Sequence, residues 1–474
     1  MSKARRHFNW ADIGFMMLLL GAIFMRFHYY ESPTLSIATH DTGSYVIGGK
    51  DSFLSPSFYT GNRPPTMKLV YSLLGSSQPL STLTVSSPGD FIQYPLTRES
   101  GLSRIPLFQA LLSIVAWSLL ALVIYSSLSV KSMKLLGAII VFTFGLSPQV
   151  VEWDYVLLSE SISNSLFIFL LALSLALSLH LTGIRTTSRK INTLMIIFWY
   201  LVLILWVFTR DTNAYFLLIL IPIPLILIIL GKGPWGGLSR SHLGLVAVSL
   251  IGIFWAHNVT MELSGRWASP LANNLITYVL NDKDHLAFFE SRGLPITQEV
   301  LKLRGASLSD QSFYEIDYFM DWLNQNGTST YLFFLLSDPT WTANTFAENS
   351  IDAFTENRQV FFLPNSEVTP TWLVALGDML NPLSYTVLFV FGFQLILLGA
   401  LAAVTNNDGI KLVTVFLFVF FLGELGMLFV STLGDASNII RHSLGAVMPI
   451  RLSIWLLPLY ILESIYYLAP SNAI

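Results

Sequence analysis

Apolar residues in this chain run in long blocks separated by short polar breaks. Ten such blocks, at roughly 9–27, 107–128, 135–149, 161–181, 191–208, 213–230, 243–259, 384–404, 411–430 and 443–467, approach or reach the ~20 residues that a helix needs to cross a bilayer. The third is short, and Pro222 and Pro224 predict a bend inside the sixth. Only Thr209-Arg210-Asp211-Thr212 separates the fifth from the sixth, which predicts a tight helical hairpin. Arg26 and His28 follow the first block directly and no small-residue cleavage site stands after it, so an uncleaved span is expected there. The pattern predicts an all-α polytopic membrane protein of about ten transmembrane helices.

Composition agrees and removes other classes. Charged residues make up 12% of the chain and hydrophobic ones 53%, against roughly a quarter charged in a typical soluble domain. A net charge of −3 gives no polyanion-binding balance, and with no cysteine there is neither a disulfide framework nor a thiolate metal site. GxxxxGK[ST], strand-preceded GxGxxG and HExxH are all missing, which argues against a nucleotide-driven enzyme and a zinc hydrolase.

The few basic residues are unevenly placed. Lys3, Arg5 and Arg6 precede the first span, Lys131 and Lys134 lie between the second and third, and Arg185, Arg189 and Lys190 between the fourth and fifth. Lys232 and Arg240 lie between the sixth and seventh, and Lys411 between the eighth and ninth. Every even-to-odd connection is basic and short, so these and both termini are expected in the cytoplasm of a plasma (inner) membrane protein. Two long segments then face outward, 28–106 and 260–383. The first mixes Gly, Pro, Ser and Tyr with room for a short helix at 66–75. The second is acidic and rich in aromatic residues, which reads as a small folded unit or a set of interfacial helices. The expected organisation is an N-terminal membrane module at 1–259, an extracytoplasmic unit at 260–383 and a C-terminal membrane module at 384–474.

Ionisable residues gather at the outer edges of the spans. His40, Asp41 and Tyr45 follow the first, with Arg63 later in the same loop. Glu152, Asp154 and Glu160 follow the third, Arg210 and Asp211 form the tip of the fifth and sixth, and Asp435, Arg441 and His442 lie between the ninth and tenth. Charge at such depth is expensive and faces a cavity or a partner. A carboxylate there can take a proton from a hydroxyl, and arginine pairs bidentately with phosphate. Two nearby acids such as Glu152 and Asp154 can hold a divalent cation.

These motifs resemble the GT-C superfamily of multi-spanning glycosyltransferases that use polyprenyl-phosphate-linked sugars, which includes protein mannosyltransferases, the aminoarabinose transferase and the oligosaccharyltransferase catalytic subunit. The resemblance is spread over 1–230 and 435–460. Asp41, with Tyr45 four residues on, falls where those enzymes carry their proposed base. Gly61-Asn62-Arg63-Pro64-Pro65 is similar to their Arg/Pro-Pro segment, and Leu157-Leu158-Ser159-Glu160-Ser161 to the element opening their fourth span. Arg210 matches a recurrent arginine after the fifth span, and Arg441-His442 ahead of Pro449 a late signature. Glu152-Trp153-Asp154 has the acid-x-acid spacing of the oligosaccharyltransferase metal motif. Thr42 stands where the mannosyltransferases have a second acid, and no Trp-Trp-Asp motif occurs in the second outer segment, which disfavours N-glycan transfer.

The resemblance implies an inverting transfer from a polyprenyl-phosphate-sugar to a hydroxyl of a cell-envelope glycan, a lipid or a protein on the extracytoplasmic face. Asp41 would be the base and Glu160 a second catalytic carboxylate. Arg210, Arg441 and His442 would bind the donor phosphate, and His40, Tyr45, Arg63 and Asp211 the substrates. Glu152 and Asp154 would hold a metal if one is used. No nucleic-acid partner is expected. Two other readings stay open at this stage: a transporter or flippase for lipid-linked or anionic substrates, and a polysaccharide polymerase or ligase.

Overall fold

The computed structural model describes residues 10–39, 41–75, 97–98, 100–181, 189–230, 240–305, 312–358, 369–405 and 408–468. His40, and the Lys3, Arg5, Arg6, Arg185 and Lys232 used to orient the chain, lie outside the described residues. Nine helices among the described residues are long and apolar enough to span: Trp10–His28, Arg104–Ser127, Glu160–His180, Lys190–Val207, Asp211–Ile229, Arg240–Ser264, Thr386–Val404, Lys411–Gly434 and Leu444–Tyr466. A tenth is broken: Lys131–Gly145 and Pro148–Tyr155 meet at 53°. The fold is all-α and polytopic, with only two isolated bridges among the described residues in place of strands.

The break in the third block follows from proline. Ser147 precedes Pro148 and is extended, with ψ at 144°, because the proline ring clashes with a helical residue before it. The short third block is therefore bent at Ser147 and is not one straight helix. The sixth block starts as a tight 3-10 turn over Asp211–Phe216 and becomes regular only in Leu217–Leu220 and Pro222–Leu230. That turn keeps Arg210 and Asp211 at the tip of the hairpin.

Burial ranks the spans. The Glu160–His180 window is 89% buried inside the protein, against 22% for Trp10–His28, Lys190–Val207 and Arg240–Ser264. The helix beginning at Glu160 is thus the axis of the bundle. The peripheral helices present Met17, Leu20, Leu194, Ile197, Val248 and Trp255 outward, as a lipid-facing surface requires.

Outside the spans, the first outer loop is held by backbone pairing. Ile37 N donates to Tyr155 O at 2.8 Å and Ile37 O accepts from Leu157 N at 2.9 Å, while Ala38 exchanges two 2.9 Å bonds with Thr97. Residues 36–39 are therefore sandwiched between 155–157 on one side and Thr97 and Ser100 on the other, which delivers Asp41 beside the start of the Glu160 helix. The loop continues through Thr42–Gly48, Pro56–Thr60 and Pro65–Leu74. Within the second outer segment, Leu275, Val279, Phe289, Phe313, Phe319, Leu323 and Phe334 belong to an apolar cluster of their own. Ala353, Phe354, Leu373 and Leu380 pack instead into the main core.

Gly265 marks where the seventh span hands over to this outer segment. Its φ of +66° is left-handed, and its N–H bonds to Glu262 O at 3.1 Å, ending the helix in the manner glycine permits. A Cβ here would meet nothing within 4 Å, so Gly265→Ala carries a conformational cost alone. We expect the substitution to destabilise by about 1–2 kcal/mol, read as a lowered thermal midpoint in detergent. An unchanged midpoint would refute the assignment of this turn.

Candidate active site

Five charged side chains from four separate regions meet at the N-terminal end of the Glu160 helix. Arg441 Nε donates to Glu160 Oε1 at 2.7 Å, and its Nη1 donates to Asp41 Oδ2 at 2.9 Å. Arg63 Nη2 donates to Asp41 Oδ1 at 2.5 Å and its Nε to Ser44 Oγ at 2.6 Å. Arg210 completes the group, with Nη1 at 3.9 Å from Glu160 Oε1 and Nη2 at 3.5 Å from Arg441 O. Side-chain exposure grades the cluster: Glu160 is at 0%, Arg441 at 9% and Arg210 at 10%, while Asp41 is at 20% and Arg63 at 23%. Glu160 is its floor, and Asp41 with Arg63 forms the open rim.

Local structure explains each placement. Thr42 Oγ1 and Tyr71 OH both donate to Leu157 O, at 3.2 and 2.9 Å, which clamps the Asp41 turn onto the residues just before Glu160. Thr66 N donates to Phe208 O at 3.1 Å and its Oγ1 to Leu205 O at 2.8 Å. The Arg63 turn is thereby docked on the end of the helix that precedes Arg210. Asn438, at φ +45°, takes the left-handed conformation that asparagine tolerates. Its carbonyl accepts from Arg441 N at 3.0 Å, starting the turn that carries Arg441 inward.

A buried ion costs several kcal/mol unless it is paired and hydrogen-bonded. For Arg441 burial opposes the charge, but Glu160 first and Asp41 second more than offset it and hold the guanidinium protonated. Arg63 is likewise raised: burial works against it, and Tyr45 and Asp41 outweigh that. Its guanidinium lies 4.5 Å over the Tyr45 ring, and Tyr45 stacks on Tyr71 at 5.4 Å. Glu160 Oε2 and Arg210 Nη1 are buried without a hydrogen-bond partner. These are polar valences that a ligand with both donor and acceptor groups would satisfy.

The structure brings Asp41, Tyr45, Arg63, Glu160, Arg210 and Arg441 together. It places Asp211, His442, Glu152 and Asp154 elsewhere. Asp211 points into a separate cluster, paired with Arg266 and, at 3.2 Å, with His257 Nε2, rather than toward a substrate. The His442 ring bonds through Nδ1 to Asp435 Oδ2 at 3.2 Å rather than joining Arg63, Arg210 and Arg441. Glu152 and Asp154 do not converge as a metal pair. They lie on the 3-10 turn Glu152–Tyr155, where residues two apart point about 120° away from each other. Glu152 is held by Arg358, and Asp154 by Arg26 at 2.7 Å and by Ser161. Among the described residues no group of three or more His, Cys, Asp or Glu is placed to hold a metal, so these donors do not fit a divalent site. Sequence reasoning missed Arg266, Arg26 and Arg358, which neutralise acids it had assigned to substrate or metal.

No family model matches the chain, and no curated protein is similar to it at a significant level. Among solved structures it is similar to the archaeal oligosaccharyltransferase AglB from Archaeoglobus fulgidus, determined in complex with an inhibitory peptide and a dolichol-phosphate. The two are 12% identical with a TM-score of 0.44, over 94% of this chain and 50% of that one. The chain thus spans about half the length of that structure. So distant a likeness says nothing of chemistry, which rests on the residues above. Fold and site define a multi-pass helical membrane protein with an arginine–carboxylate centre at one end of its bundle.

Beside that centre, burial disfavours the Asp435 carboxylate, but hydrogen bonds from His442, Asn273 and Ser437 N hold it below the usual aspartate range. A depressed folded value means that its stabilisation is present above the unfolded value of about 3.9 and is lost as pH falls through the folded one. The thermal midpoint of the wild type should therefore fall more steeply than that of Asp435→Asn as pH drops from about 5 to about 3. Parallel curves would contradict the pairing.

Proposed function

We propose that the chain is a membrane glycosyltransferase that moves a sugar from a polyprenyl-monophosphate carrier to an acceptor hydroxyl on the extracytoplasmic face, within a GT-C-like architecture. The observation that carries this reading is the charge balance of the cluster. Arg63, Arg210 and Arg441 stand against Asp41 and Glu160, three positive against two negative, so the five side chains keep one excess positive charge. One phosphodiester monoanion neutralises that excess. A diphosphate would bring more negative charge than the cluster balances, and the acids that could have recruited a cation are held by arginines.

In this reading Arg210 binds the donor phosphate first, because its Nη1 has no hydrogen bond. Arg441 and Arg63 then share their donors between the phosphate and Asp41. That frees an Asp41 oxygen at the exposed rim to accept the proton of the acceptor hydroxyl. The hydroxyl oxygen attacks the anomeric carbon as the bond from that carbon to the phosphate oxygen breaks. The bonding pair leaves on the phosphate, where the guanidinium groups stabilise it. A single displacement inverts the anomeric centre. Glu160 does not reach the rim, and its part is to hold Arg441 and Arg210 in place.

Orientation rests on the basic short connections, which put this end of the bundle outside. A transporter would need polar groups at mid-depth. Such groups would have to converge, whereas Glu424, buried within the Lys411–Gly434 helix with neither carboxylate oxygen hydrogen-bonded, has no charged partner among the described residues. A glycan polymerase or ligase shares the donor chemistry and is separated by the size of the transferred group.

The test uses the full chain in liposomes with a labelled polyprenyl-monophosphate sugar and a cell-envelope extract as acceptor. Wild type should release polyprenyl phosphate and glycosylate the extract, while Asp41→Asn should lose about 10²–10⁴-fold in kcat. Full activity of Asp41→Asn would remove Asp41 as the base. Use of a diphosphate-linked donor in preference to the monophosphate would overturn the charge argument.

A further inference from the structure

Arg266 lies just past the left-handed Gly265, at the entry to the second outer segment, and its side chain is 8% exposed. Its guanidinium makes three bonds to two distant turns. Nε donates to Asp211 Oδ2 at 3.0 Å, Nη2 to Asp211 Oδ1 at 3.0 Å and Nη1 to Gly61 O at 2.9 Å. Asp211 is the residue after Arg210, and Gly61 stands two before Arg63. We infer that Arg266 is a positioning residue that sets Arg210 and Arg63 at their working separation for the donor phosphate, by tying the turns that carry them to one rigid guanidinium. The inference rests on the function proposed above.

Three features make the tie directional. The planar fork satisfies both carboxylate oxygens and still has a third nitrogen for a carbonyl, which an ammonium cannot match. Asp211 Oδ1 also meets His257 Nε2 at 3.2 Å, so a second side chain braces the carboxylate that Arg266 grips. Gly61 connects to Arg63 through Asn62 alone, and Pro64 and Pro65 follow. Their restricted backbone, Pro64 at φ −60° and ψ 145°, prevents a shift at Gly61 from dissipating into the next helix. Thr66 fixes the same two turns on the far side through Leu205 O and Phe208 O. Arg63 and Arg210 are thus bracketed between two ties, and only the Arg266 tie comes from the outer segment. The segment that would meet the acceptor is mechanically joined to the arginines that would meet the donor.

The experiment measures polyprenyl-monophosphate binding, the KM and kcat for the sugar-bearing donor, and the thermal midpoint, on the full chain in nanodiscs. Arg266→Gln and Arg266→Lys should each raise the Kd for polyprenyl monophosphate and the donor KM about tenfold or more, with kcat per folded molecule changed far less. Asp211→Asn, which weakens the same contact from the other side while keeping its shape, should do likewise and serves if Arg266→Gln fails to fold. Arg358→Gln, which breaks the ion pair with Glu152, should lower the midpoint without moving Kd or KM. If the Arg266 and Asp211 variants lower only the midpoint and keep wild-type Kd and KM, the positioning role is overturned while the donor reading stands. If wild type itself neither binds nor turns over the polyprenyl-monophosphate sugar, the donor reading fails and this inference with it.

Discussion

One guanidinium organises this molecule. Arg441 bonds Glu160 through Nε and Asp41 through Nη1, joining the last connection of the chain to its first outer loop and to the axis of the bundle. Both carboxylates are at or below one-fifth exposure, and neither ion is cheap to hold there alone. The pairing is therefore a requirement of burial as well as a means of function. Once Arg441 lies between the two acids, Arg63 takes the second oxygen of Asp41, and Arg210 is left as the guanidinium with the fewest bonds in the cluster.

The surrounding structure can be read as what keeps that arrangement stiff. Extended residues 36–39 are fixed on 155–157 by backbone bonds, Tyr71 and Thr42 share the Leu157 carbonyl, and Thr66 seats the Arg63 turn on the end of the next helix pair. The outer segment docks on the same end. Asn274 and Tyr331 donate to Leu433 O, and Asn349 to Thr432 O, capping carbonyls that the Asp408–Gly434 helix leaves open. The arginine–carboxylate cluster is thus enclosed by elements whose own backbone needs are met by one another. Function and fold share the same hydrogen bonds.

Much of this was legible in the chain and some was not, for identifiable reasons. Blocks of apolar residues near 20 long marked nearly every span, because a lipid-exposed backbone has no other solution. Asp41, Glu160, Arg210 and Arg441 stood out because charge at the edge of such blocks is rare. Their meeting could not be read from spacing, since Asp41 and Arg441 are 400 residues apart. Glu152 and Asp154 misled because two acids in three residues suggest one site, whereas the turn that holds them sends them to different arginines. Asp211 misled in the same way, as adjacency to Arg210 carries no information about which side its carboxylate faces. Arg266 had one visible cue: it is the first basic residue after the seventh span, directly following a glycine. That cue acquires meaning only once Gly61 and Asp211 are known to be neighbours.

The central claim is that the three-arginine, two-carboxylate cluster binds a lipid-linked monophosphate. The most direct measurement is an experimental structure of the full chain in nanodiscs with a bound polyprenyl monophosphate. The account predicts phosphate density within about 3 Å of Arg210 and Arg441, with at least one arginine drawn off Asp41. Phosphate bound elsewhere, with Arg441 still bridging Asp41 and Glu160 unchanged, would contradict it.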